Sequence, residues 1–181
     1  MVQTELVTAA QRGDADAFDA LARLSSDRLY AVAVRVTRDH HRAQDALQQA
    51  LIAAWTELPR LRDPDRFEAW TYRLVVRFAV QEARGGRQPG REIVALSEQE
   101  SSPDTTSADV ATRDQLERGF RRLTPEQRAV IVLHFYAGLS LAEIADVIGV
   151  PLGTVGSRLH YAKRALRAAL TADDRVEERT A

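Results

Sequence analysis

The chain of 181 residues is 45% hydrophobic and 28% charged, with a formal net charge of −1 and no cysteine. This balance describes a globular protein and excludes disulfides, thiolate metal sites and cysteine nucleophiles. No apolar run approaches the roughly 20 residues that span a bilayer, and the opening MVQTELVTAAQRGD lacks the basic-then-apolar order of a signal peptide.

Apolar residues recur at spacings of three and four along the chain and strand signals are nearly absent, so the expected fold class is all-α. Ala15–Leu24 and Arg28–Thr37 read as two helices that bury Phe18, Leu21 and Leu29. A third, Arg42–Leu58, carries Ala43, Leu47, Ala50, Leu51, Ala54 and Trp55 along one face. Pro59 and Pro64 bracket the loop PRLRDPD. The helix Arg66–Arg84 that follows buries Phe67, Trp70, Leu74 and Phe78 and ends at Gly85 and Gly86. Residues 87–111 change character: Gly, Pro, Ser, Thr and acids replace the periodic apolar residues, which predicts a flexible acidic linker. The expected division is a helical domain over 1–86, the linker over 87–111, a second helical domain over 112–172 and a polar tail over 173–181.

The second domain is well punctuated. TPEQ at 124–127 sets Thr124 as N-cap, Pro125 at the first helical position and Gln127 to close a capping box. SLAE at 140–143 repeats the device with Ser140 and Glu143, and Gly138 and Gly149 stand just past helix ends. Ser140–Ile148, the turn Gly149–Pro151 and the helix beyond it form a helix-turn-helix. Its second helix buries Val155, Leu159, Ala162 and Leu166 and presents Thr154, Ser157, Arg158, Tyr161 and Arg164 on the other side. In such a pair the start of the second helix enters the major groove of DNA. Gly153 and Gly156 each cost about 1 kcal/mol relative to alanine in a helix. Either they allow close approach of DNA or the packing that presents it, or they merely relieve crowding at the turn.

Net charge alone argues against a nucleic-acid partner, but its distribution argues for one. Residues 151–170 hold Arg158, Lys163, Arg164 and Arg167 and no acid, while residues 60–91 hold eight arginines against Asp63, Asp65, Glu68 and Glu82. Local charge governs phosphate contact, so the overall neutrality is uninformative. His40, His41, His134 and His160 sit at no ligand spacing, and no phosphate-binding glycine loop or nucleophile constellation is present, so neither catalysis nor a metal or cofactor is expected.

The string LTPEQRAVIVLHFYAGLSLAEIADVIGVPLGTVGSRLHYAKRALR closely resembles region 4 of extracytoplasmic-function (ECF) sigma factors of bacterial RNA polymerase. GLSLAEIADVIG and GTVGSRLHYAKRAL carry most of that resemblance. AQDALQQALIAAW and FEAWTYRLVVRFAV resemble region 2 of the same family, the first in a motif normally richer in acids.

The resemblance implies a cytoplasmic protein whose region 2 docks on the clamp helices of core RNA polymerase and reads the minus-ten element as separated strand. Region 4 would lie near the polymerase flap and read the minus-thirty-five element as duplex. The linker would thread toward the active-site cleft, a path that suits Glu92, Glu98, Glu100, Asp104 and Asp109. Asp45, Gln48 and Gln49 would face the polymerase, Gln49 standing where Glu is usual. Leu61, Arg62 and Asp63 lie where the family captures a flipped base, and Arg77, where Asn is common, would face the minus-ten bases. Trp70 and Tyr72 are candidate melting aromatics, although Trp70 aligns with the buried stripe. Thr154, Gly156, Ser157, Arg158, Tyr161 and Arg164 would read the upstream duplex, with Gly156 replacing a frequent Lys.

The implied partners are core RNA polymerase and promoter DNA, with room for an anti-sigma factor and no membrane insertion. Two other readings compete. A helix-turn-helix activator or repressor would carry an unrelated N-terminal domain, without the Asp45–Gln48 and Phe67–Trp70–Tyr72 patterns. A sigma-like decoy would bind polymerase yet open few promoters, as the departures at 77 and 156 allow.

Overall fold

The computed structural model describes residues 3–85 and 115–177, with side chains as far as residue 171. The expected linker 87–111, with Glu92, Glu98, Glu100, Asp104 and Asp109, therefore lies outside the described residues. Among those described, every regular element is helical.

Helix α1 (Gln3–Gln11) leads into α2 (Ala15–Thr37), whose N-cap Asp14 accepts hydrogen bonds from the amides of Asp16 and Ala17. The two helices expected between Ala15 and Thr37 are one. Ser25 is buried in the packed face, and Ser26 returns its hydroxyl to the Ala22 carbonyl at 2.6 Å. The Ser-Ser-Asp stretch is thus absorbed by packing and back-bonding, which override its weak helix propensity. Asp39 then caps α3 (His40–Glu57) by accepting from the Arg42 amide, so α3 starts earlier than its apolar periodicity suggests. Short 3-10 turns at Leu58–Arg60 and Pro64–Arg66 carry the chain to α4 (Phe67–Gly85).

Helices α2, α3 and α4 pack mutually, and α1 folds back over α2 and the two turns. Alanines Ala43, Ala46, Ala50 and Ala54 form the inner face of α3, letting α2 and α4 approach closely. Trp55, expected on that face, is instead 42% exposed; its ring meets Phe18 edge-on at 5.0 Å. Tyr72 is fully buried, so it is a core residue and unavailable to stack on a base. Trp70 is partly buried and packs on the core, as the stripe requires.

The second domain begins with α5 (residues 115–121), followed by α6 (Pro125–Phe135), α7 (Leu141–Ile148) and α8 (Leu152–Glu177). Both capping boxes form, and Gly149 takes the left-handed conformation (φ 67°) that lets α7 turn directly into α8. Helix α8 runs into the stretch expected as a tail, ending at Glu177.

The two helical domains are docked through one continuous core. Helix α6 packs on α2 and α4 on one side and on α8 on the other, while α7 packs on α4. Every residue from Arg128 to Leu133 is buried. A helix enclosed on all sides needs no polar face, which explains the unbroken apolar run AVIVL. Two buried arginines cross this junction. Arg38, the left-handed C-cap of α2 (φ 60°), reaches the Glu117 carboxylate at 2.5 Å and its carbonyl at 3.1 Å. Arg128 donates to the Val36 and Leu123 carbonyls at 2.7 and 3.0 Å. Burial, and the neighbouring Arg38 guanidinium, lower the Arg128 pKa to about 10, which leaves it protonated at physiological pH.

Candidate nucleic-acid and polymerase interfaces

Helix α8 is fixed from below by Val155, Leu159 and Ala162, all buried against α6 and α7. Its outward side carries Ser157, Tyr161 and Arg164 exposed, with Thr154 and Gly156 half-buried. Next to them Lys163, Arg164, Arg167 and His160 line a cleft of about 460 Å³ whose wall includes Gly156. A basic cleft beside the first turns of a recognition helix offers guanidinium and ammonium groups to phosphates while side chains reach bases. Lys163, Arg167 and His160 were not among the expected contacts; the acid-free composition of residues 151–170 was their signal in the sequence. Arg158 lies on the other flank, half-buried in a cavity shared with Arg73, Arg77 and Arg84 of α4 and Glu126 of α6.

A Cβ added at Gly153 or Gly156 would meet open space. Neither glycine relieves crowding or permits tight packing inside the protein. What remains for Gly156 is close approach by something outside it. The glycine that packing does require is Gly119 on α5: a Cβ there would sit 2.8 Å from Leu166 Cδ2 and 3.2 Å from Ala169 Cβ.

The loop expected to hold a flipped base is firmly built. Gln11 of α1 donates to the Leu61 carbonyl at 2.7 Å and to the Leu58 carbonyl at 3.2 Å. The Asp63 carboxylate accepts from the Asp65 amide at 3.0 Å, starting the turn into α4. Leu61, Arg62 and Asp63 open onto a cavity of about 430 Å³ lined by Arg66, Trp70 and Arg73 on one side and by Glu143, Asp146 and Val147 of α7 on the other. Arg77 is exposed one turn beyond Arg73, 3.6 Å from Glu57 and over the Phe78 ring. Arg66, from the Pro64–Arg66 turn, and Arg73, brought beneath the loop by the helical register of α4, thus join the expected site.

On α3, Asp45 and Gln48 are exposed on one face, and Ile52 (60% exposed) and Trp55 continue it. Gln49 turns away from that face: it donates to Glu82 of α4 at 2.9 Å. Ile52 and Trp55 are the additions here. Their signal was helical spacing, since Ile52 lies seven residues from Asp45 and four from Gln48.

Sequence comparison bears on what these surfaces belong to. Residues 21–88 match the family model for Sigma-70 region 2, and residues 113–166 match that for Sigma-70 region 4. An ECF RNA polymerase sigma factor of Mycobacterium tuberculosis, SigL, is 36% identical over 147 residues, covering 78% of this chain and 82% of its own. This chain is an ECF sigma factor.

The RNA polymerase sigma-H factor of Pseudomonas aeruginosa is 32% identical over 178 residues, 92% of each chain. The region 2 match removes the reading of a helix-turn-helix regulator with an unrelated N-terminal domain. Among solved structures, CnrH in complex with the cytosolic domain of CnrY superposes with a TM-score of 0.69 at 26% identity, over 94% of this sigma factor and 98% of CnrH. The sigma factor RpoE of Bartonella quintana, in complex with the anti-sigma factor NepR, gives 0.65 at 23% identity over 86% and 98%, a likeness of fold. No described helix of this sigma factor is long and apolar enough to cross a membrane.

Proposed function

We propose that this sigma factor binds core RNA polymerase, directs it to specific promoters and assists strand opening, as a cytoplasmic specificity factor without catalysis of its own. The α3 face of Asp45, Gln48, Ile52 and Trp55 supplies the polymerase contact, an apolar centre with a polar rim in the manner of protein interfaces. Gln49 supports that face from behind through Glu82. The cavity beneath Leu61, Arg62 and Asp63 takes an extruded minus-ten base, with Arg66, Arg73 and Arg77 along the strand's phosphates. Extrusion costs a few kcal/mol of stacking, which contacts to the captured base must return. Thr154, Gly156, Ser157, Arg158, Tyr161 and Arg164 read the minus-thirty-five duplex. Two solved relatives are complexes, CnrH with CnrY and RpoE with the anti-sigma factor NepR, and an anti-sigma protein is a further partner proposed here.

The observation that carries this reading is that one domain carries both the exposed Ile52–Trp55 face and the 61–63 loop with Arg66 and Arg73 beside it. Run-off transcription with core polymerase on genomic fragments tests it. Discrete transcripts should depend on the protein, and Asp45→Arg should weaken core binding about tenfold without lowering the melting temperature. Tight core binding without any transcript would make the protein a decoy.

A further inference from the structure

A cavity of about 500 Å³ lies where α4, α6, the α7–α8 turn and α8 meet. Small-molecule sites have volumes of roughly 300–1,000 Å³, favour domain junctions and combine apolar walls with a few convergent polar groups. This cavity has each of those features. Helical spacing along α4 puts Arg73, Val76, Arg77, Val80 and Arg84 on one face, and all five line it. Val147 and Ile148 at the end of α7 and Val150 of the turn supply a second apolar wall, and Arg158 enters from α8.

Its polar groups are unbalanced. Four guanidinium groups line the cavity against one carboxylate, that of Glu126, which already accepts from Arg84 Nε at 2.7 Å. Arg77 pairs with Glu57 at 3.6 Å with both side chains about half exposed, a kind of contact that contributes little. Arg158 is half-buried and makes no hydrogen bond or ion pair with any described residue. Such guanidinium groups are short of acceptors, and phosphate oxygens supply them in the bidentate geometry that arginine favours. Phosphate alone would leave the valine and isoleucine walls in contact with water, so the ligand that fits also carries a body that covers them. We propose that the cavity binds a nucleoside polyphosphate, with Arg77, Arg84 and Arg158 on its phosphates and Val80, Ile148 and Val150 against its nucleoside. The site stands in the free chain and does not rest on the promoter-reading roles proposed above. Where Arg77 and Arg158 also contact DNA, nucleotide and promoter compete for them.

Isothermal titration of the full chain, without polymerase or DNA, tests the site with four probes: ATP, GTP, inorganic tripolyphosphate and adenosine. ATP or GTP should saturate one site. Tripolyphosphate should bind at least about tenfold more weakly, having no body to cover the apolar walls, and adenosine should give no measurable heat. Arg158→Ala should weaken nucleotide binding about tenfold or more, the effect of losing a charge-assisted contact. Val80→Glu, which puts a carboxylate inside the cavity, should abolish it. Arg167→Ala, which removes a cation from the separate cleft on the open side of α8, should leave it unchanged. Circular dichroism confirms the fold of each variant, and Arg158→Ala decides the matter if Val80→Glu fails to fold. No saturation by about 1 mM nucleotide would overturn the proposal, as would tripolyphosphate or adenosine binding as tightly as ATP and GTP. So would an Arg158→Ala protein that binds like wild type, or a loss in Arg167→Ala equal to that in Arg158→Ala. Run-off transcription is a separate readout, so failure here leaves the promoter-directing role intact.

Discussion

Replacing Glu117 by Gln leaves the buried Arg38 guanidinium, which already faces the like charge of Arg128, without its carboxylate. The side chains of Arg38 and Glu117 are 7% and 6% exposed, so water screens little of the loss. Burial lowers the Arg38 pKa, and only the Glu117 carboxylate and its hydrogen bond raise it back. Removing one partner of a buried pair typically costs about 3–5 kcal/mol, because the other charge stays desolvated. Gln retains the volume and one acceptor oxygen, so the expected loss is at the lower end, about 3 kcal/mol, or roughly a hundredfold in equilibrium.

A second consideration supports that size. Arg38 holds a left-handed conformation that costs about 1–2 kcal/mol for a side chain and nothing for glycine, the usual residue at a helix C-cap. An arginine kept there must contribute more through its contacts than it loses in the backbone. Urea titration followed by tryptophan fluorescence and far-ultraviolet circular dichroism measures the effect. Both tryptophans, Trp55 and Trp70, report the first domain, whereas dichroism reports both. The double variant Arg38→Met/Glu117→Leu should recover most of the loss, since well-packed apolar pairs replace buried ion pairs at little cost. A loss below about 1 kcal/mol for Glu117→Gln would refute the reasoning that this carboxylate is what compensates the buried Arg38 charge.

Gly119→Ala should destabilise the second domain by up to about 2 kcal/mol in thermal melts, because crowding against Ala169 Cβ at 3.2 Å, which cannot rotate away, outweighs about 1 kcal/mol gained in helix propensity. Gly156→Lys should leave the melting temperature within error, its Cβ entering open space, and should tighten duplex binding with a steeper salt dependence. Weaker binding by a folded Gly156→Lys protein would instead show that DNA approaches the bare backbone. Glu126 is pushed up by burial, but its backbone hydrogen bond and those from Arg84 and Thr124 prevail and hold it below the ordinary 4.5. Its contribution is therefore complete above pH 4.5 and fades as pH falls through the lower folded value. Glu126→Gln should accordingly be less stable than wild type at pH 7, with the difference shrinking as pH falls below 4.5 in parallel urea titrations.

The sequence by itself determined the helical class, the capped starts of α6 and α7 and the polar side of α8. Those features are local: Thr124–Gln127 and Ser140–Glu143 close their capping boxes within three residues, and the stripe Val155, Leu159, Ala162 is set by helical period. It also placed Asp45, Gln48 and the 61–63 loop where the structure finds them exposed or opening onto a cavity. Tertiary structure decided the rest. Only packing merges the two expected helices into α2, buries Tyr72, exposes Trp55 and turns Gln49 toward Glu82, because each outcome depends on which neighbouring helix arrives. The contacts farthest from legibility are those made across the domain junction, Arg38 with Glu117 and Arg66 with Asp146. Their partners lie 79 and 80 positions apart in the chain. No local period links such residues; they meet because the apolar run 129–133 of α6 can satisfy its burial only between the two domains.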